Sequence, residues 1–137
     1  MGRPKGFDEE AAVAAAAELF AVRSYDGTSV DDLVGQTGVH RGSLYKSFGS
    51  KRGLYLAALR MYVDRELAGG GAPLERDLRF LLLAAAERAA VDEAVAAEVS
   101  RGLAFLDRAV PSDEVTLALG LMIRRLAGAK EGDRGDG

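Results

Sequence analysis

Cysteine is absent from the 137 residues, histidine occurs once, and aromatic side chains make up only 7% of the chain. The lack of cysteine excludes disulfides, thiolate metal sites and cysteine nucleophiles together. The single histidine, His40, has no second imidazole or thiol with which to build a zinc site or a nucleophile–base pair. Glycine is plentiful, but no Gly-Lys-Ser/Thr follows the run Gly69–Gly71, which therefore suits a linker better than a phosphate cradle. No stretch approaches the ~20 uninterrupted apolar residues of a membrane span. Behind the basic start, Arg3 and Lys5, come the acids Asp8, Glu9 and Glu10 where a secretory signal would carry its apolar segment. These absences lead us to expect a soluble, cytoplasmic chain with no metal, no cofactor, no membrane partner and no enzymatic activity.

What is present is apolar residues (48%), much of the fraction alanine, which with so few aromatics favours helices over sheets. Asp8 is a good N-cap for a helix from about Glu9 to Arg23, with an apolar stripe through Val13, Ala16, Ala17, Leu19 and Phe20. Ser24–Gly27 is turn chemistry. Ser29, with Asp32 three residues on, predicts a capping box opening a short helix from Val30 to about Thr37, closed by Gly38. A third helix spans about Arg41 to Phe48, and Ser50 caps a fourth from Lys51 to about Leu67. Gly69–Gly71 and Pro73 then mark the best domain boundary. Beyond it, Leu74, Leu78, Leu81, Leu82 and Ala85 predict a helix to about Ala90, and Val95, Val99, Leu103, Leu106 and Val110 another, stopped by Pro111. A final apolar helix covers about Asp113 to Ala127, and the glycine- and charge-rich residues 128–137 are expected to be disordered.

Two short helices joined by a tight glycine turn, behind a longer amphipathic one, form a helix-turn-helix pattern. In the third helix Val39, Leu44 and Phe48 can pack inward while Arg41, Ser43, Tyr45 and Lys46 project donors outward, and Gly42 removes bulk. Such a helix fits the major groove of duplex DNA, where side chains near its N-terminus reach base edges. A net charge of −3 is unpromising for that partner, but the charge is unevenly spread. From Leu33 to Val63 there is no acid, while Arg41, Lys46, Lys51, Arg52 and Arg60 are basic. Screening confines each charge to a range of about 8 Å, so a local patch survives on an acidic protein, although a plain solvated face would show the same run. Tyr45 could equally pack against the first helix, and His40 suits an exposed or phosphate-adjacent position.

The residues Gly2–Phe7, Glu18-Leu19-Phe20, Tyr25–Val30, Gly38-Val39, Ser43-Leu44-Tyr45, Phe48 and Lys51 resemble the TetR family of transcriptional repressors over about residues 2–62, nearly without gaps. That resemblance implies an all-α fold: a three-helix helix-turn-helix domain (residues 1–50), a connecting helix and glycine-rich linker (51–71), and a small helical dimerisation and effector domain (72–127). It implies that Arg41, Gly42 and Ser43 meet base edges, that Tyr45 touches a phosphate or thymine methyl, and that Lys51 grips the backbone. Lys46 is placed on the same surface, Ser29 with nearby amides faces a phosphate, and Arg3 and Lys5 match a basic arm. Two positions depart from the family pattern: Asp31 stands where a basic residue is common, and Val34 where a small one is usual.

The resemblance thins in the second half, where only 66 residues follow Gly71 (137 minus 71). The last two helices carry more leucine, valine and isoleucine than three helices can bury, so homodimerisation through them is expected, against the alternative of a monomeric core. A small-molecule effector is an expectation of the resemblance alone. Its pocket would lie beneath the fourth helix, lined by Tyr55, Leu59, Tyr62, Leu82 and Phe105, although ordinary core is the favoured reading of these residues. The expected function is a sequence-specific DNA-binding regulator, a repressor acting as a homodimer on a pseudo-palindromic operator. The alternative is a helical dimerisation or interaction module without specific DNA reading.

Overall fold

The computed structural model describes residues 6–69 and 76–133. Arg3 and Lys5 of the expected arm, and Gly70, Gly71, Pro73 and Leu74 around the expected boundary, lie outside the described residues. Within them the chain is all-helical, without a strand: α1 (Glu9–Arg23), α2 (Val30–Thr37), α3 (Arg41–Phe48), α4 (Lys51–Tyr62), α5 (Arg79–Glu87), α6 (Glu93–Ala109) and α7 (Ser112–Asp133).

Local capping sets α1, α2 and α4. The Asp8 carboxylate accepts from the Ala11 amide at 3.2 Å and opens α1. Ser29 and Asp32 form a reciprocal capping box at the start of α2, the Asp32 amide donating to the Ser29 hydroxyl oxygen at 3.0 Å and the Ser29 amide to the Asp32 carboxylate at 2.9 Å. Gly38 closes α2 in the left-handed region, at φ 71°, which a side chain would resist. Ser50 caps α4 by accepting from the Gly53 amide at 3.0 Å.

Differences from the sequence expectation lie beyond Tyr62. The fourth helix does reach Leu67, but its last turn, Val63–Leu67, is a wider π-turn with the Ala68 amide donating to the Val63 carbonyl. Val63 and Leu67 are thereby buried against α6, where Gly102 lets the helices close: a Cβ there would stand 2.8 Å from Leu67 Cδ1. Helix α5 begins at Arg79, later than expected, because the Asp77 side chain accepts from the Arg79 amide and the Asp77 carbonyl accepts from the Tyr62 hydroxyl at 2.6 Å. Helix α7 runs to Asp133, through residues expected to be disordered.

Helix α4 is central rather than a mere connector, packing against α1, α3, α5 and α6. Phe20 of α1, Tyr55 of α4 and Phe80 of α5 meet ring to ring, with centroids 4.9 Å (Phe20–Tyr55) and 5.6 Å (Tyr55–Phe80) apart. Helices α1–α4 and α5–α7 therefore share one continuous hydrophobic core.

Candidate nucleic-acid interface

Helix α3 is anchored by Leu44, which is buried with Val39 from the preceding turn, while Phe48 packs half-buried against the same core. That registry turns the other side of the helix outward. Arg41, Gly42, Tyr45 and Lys46 are exposed and Ser43 is half-buried. Tyr45 does not fold back as a core residue: it is 39% exposed and borders a shallow surface depression with Val30, Ser50 and Lys51. Space beside Gly42 is open, with nothing within 4 Å of the place a Cβ would occupy. His40 is exposed immediately before the helix and makes no side-chain cap bond to it.

The flanking residues are already engaged. The Ser29 amide and the oxygen of its hydroxyl serve the capping box. Hydrogen bonds from the Ser29 amide and hydroxyl hold the Asp32 carboxyl below its ordinary value, as does Arg23 at 3.3 Å. Lys51 lies with its Nζ 4.2 Å above the Tyr25 ring. Arg41 donates from Nη2 to Oδ1 of Asp31 at 2.6 Å, across the turn between α2 and α3.

A second cluster, invisible in the sequence, joins this head to the rest of the chain. Glu87, ending α5, accepts from the Tyr25 amide at 2.7 Å and the Asp26 amide at 2.8 Å. Arg88 lies over the Tyr25 ring at 4.3 Å. Arg52 of α4 grips Asp92 with two bonds, 2.7 and 3.0 Å, and Asp92 also caps α6. The Arg52 hydrogen bonds outweigh burial and hold the Asp92 carboxyl at about 2, well below its ordinary 3.8. These contacts bridge 40 to 63 positions along the chain, so no local spacing could announce them. The one available signal was composition: charged residues in a helix otherwise built of alanine and leucine.

The expected effector lining behaves differently. Tyr55 and Leu59 are packed inside the core, Leu82 and Phe105 are half-buried, and burial pushes the Tyr55 and Tyr62 hydroxyls far above their ordinary value. Of the five, only Tyr62 borders the cleft of about 290 Å³ that opens between α1, the end of α4 and α5, beside Glu18, Arg65 and Asp77. Tightly packed aromatic and leucine side chains filled the volume that a cavity would need. Among the described residues no group of acids and histidine is placed to hold a metal ion, and no helix is long and apolar enough to cross a membrane.

A short anchored helix presenting a polar, basic row beyond a glycine turn is a helix-turn-helix head. Residues 12–58 match the family model described as bacterial regulatory proteins, tetR family. Over those residues the chain resembles the TetR family. Similar proteins include an uncharacterised HTH-type transcriptional regulator, YezE of Bacillus subtilis (strain 168), 42% identical over 64 residues, which are 47% of this chain and 33% of that protein. The HTH-type transcriptional repressor ComR of Escherichia coli (strain K12) is 47% identical over 64 residues, 47% of this chain and 30% of its own length. The HTH-type transcriptional activator FasR of Mycolicibacterium smegmatis is 40% identical over 55 residues, 40% of this chain and 25% of its own. The matched stretch thus spans about a third of these relatives or less. Among solved structures, the TetR family regulator CifR, a cysteine mutant complexed with 26-bp double-strand operator DNA, is similar at 27% identity with a TM-score of 0.41, over 86% of this chain and 82% of that one.

Proposed function

We propose that this chain is a sequence-specific DNA-binding transcriptional regulator, a repressor that occupies a pseudo-palindromic operator as a homodimer. The carrying observation is the outward row of α3, Arg41, Gly42, Tyr45 and Lys46, on a helix fixed from behind by buried Leu44. In the major groove, the first residues of such a helix reach base edges, where an arginine can bond a guanine in bidentate fashion. Ser43 joins that row from its edge. Lys51, Ser29 and the arm residues Arg3 and Lys5 supply phosphate contacts that position the head without reading sequence.

Support for a dimer comes from α7. Val115, Ala118, Leu119 and Met122 form its face toward the core, and Leu126, four residues further, continues that stripe. Leu126 is 46% exposed, and Ile123 beside it 53%. The stripe outruns the helix that covers it, and a second copy would cover the remainder in an isologous interface. Pairing would also set two α3 helices on one face of a duplex, as half-sites ~34 Å apart require.

Fluorescence anisotropy on labelled duplexes tests the reading. Log affinity should fall steeply with log salt, by about 0.9 for each phosphate neutralised. Arg41→Ala should cost about tenfold or more in affinity for the preferred duplex. A stable dimer with no salt-sensitive affinity would instead favour a pairing module without DNA reading.

A further inference from the structure

Asp31 is the acid least suited to a phosphate-facing surface, yet it is placed where it controls the residue best suited to reading a base. It is the second residue of α2, and its carboxylate sits near the positive end of that helix. Arg41 is the first residue of α3. The pair closes the turn between them at 2.6 Å, with Asp31 85% and Arg41 54% exposed. Nothing in the packing forces this contact, since both side chains stand in solvent. A guanidinium has five donors in a fixed fork, and this bond occupies one of the Nη2 hydrogens. The remaining donors stay available in one orientation.

We propose that Asp31 is a specificity-determining residue of the DNA-reading surface, making Arg41 contribute affinity only where a base edge accepts its fork. This rests on the proposed entry of α3 into the major groove. Away from the operator, binding depends on the number of phosphates neutralised, and an Arg41 paired with Asp31 counts for nothing in that sum. On the operator, the two acceptors of a guanine, N7 and O6, compensate the pair by bidentate hydrogen bonding that a diffuse phosphate contact does not match. Asp31 thus weakens non-specific binding more than specific binding. Holding the side chain in one orientation also lowers the ordering cost of the base contact. The carboxylate raises the ratio between the two modes while lowering overall affinity.

The test compares Asp31→Asn with the unmodified chain on two probes, a duplex selected from a random pool and a scrambled duplex of the same composition. Salt titrations are run on both, and thermal melting checks the fold. The expected result is a rise of about tenfold on the scrambled duplex, with its salt slope steeper by about one phosphate. Affinity for the selected duplex should change less than about threefold, so discrimination drops. In an Arg41→Ala background the same substitution should leave discrimination unchanged. An equal gain on both duplexes would reduce Asp31 to a uniform repeller and overturn the inference, as would an undiminished effect without Arg41. If the unmodified chain shows no preference between the probes, the proposed function itself fails, and this outcome is recognised before any substitution is compared.

Discussion

The head of this molecule, α1 to α4, and its C-terminal helices, α5 to α7, are built from the same alanine- and leucine-rich material but are specified in different ways. In the head, four boundaries are set by residues acting within three or four positions: Asp8, the Ser29–Asp32 box, Gly38 and Ser50. In the C-terminal part, the local caps Asp77 and Asp92 are themselves tied to partners far along the chain. Helix α5 starts where Asp77 is held by Tyr62, and Glu87, at its end, bonds the turn after α1. Helix α7 leaves Ile123 and Leu126 outside the core altogether. Local chemistry thus shapes the reading surface, and tertiary contacts shape the part that would assemble and transmit.

The largest effect should erase the distinction. Phe20 is fully buried and joins both parts through Tyr55 and Phe80, so Phe20→Ala should cost about 3–5 kcal/mol. Chemical denaturation should show one transition for the unmodified chain, because the core is continuous. Two separated transitions would mean that the parts fold independently. Next, Ile123→Glu with Leu126→Glu should raise the dimer dissociation constant by about tenfold or more for each residue, at ~1.5 kcal/mol per apolar side chain returned to water. Sedimentation would read the dissociation, while the helix content stays constant.

A smaller effect confined to the head follows from Ser29→Ala, which removes one half of the capping box and should lower stability by about 1 kcal/mol. Thermal melting would measure it. At the junction, Asp92 adds a pH dependence. Its carboxyl is held at about 2 in the folded chain against an ordinary 3.8, so its contribution is complete above about pH 4 and disappears as pH falls toward 2. Asp92→Asn should flatten the acid limb of the stability profile over that window. An unchanged limb would show that Arg52 contributes no net stabilisation there.

The head was legible because caps, glycine turns and the phase of Leu44 against Arg41 and Tyr45 act over one or two helical turns. The outward row on α3 follows from that phase alone. The Arg41–Asp31 pair was only half legible: Asp31 stood out as an acid on a basic surface, but its reach across the turn requires the two helices to be docked. The Glu87 clamp and the Arg52–Asp92 pair were not legible, since hydrophobic periodicity carries no information about which charges meet. Whether the residues beneath α4 line a pocket was not legible for a related reason. Apolar residues beneath α4 look the same in sequence whether they line a cavity or fill it, and here Tyr55 and Leu59 fill it.

Whether α3 reads duplex DNA in a two-fold arrangement can be decided by selecting binding sites from a pool of random duplexes. The expected outcome is enrichment of an inverted repeat whose half-sites are centred about 10 bp, or a multiple of one helical turn, apart. Enrichment should vanish with Arg41→Ala combined with Lys46→Ala. A pool that emerges without any shared inverted repeat, from a chain that is folded and dimeric, would contradict that reading.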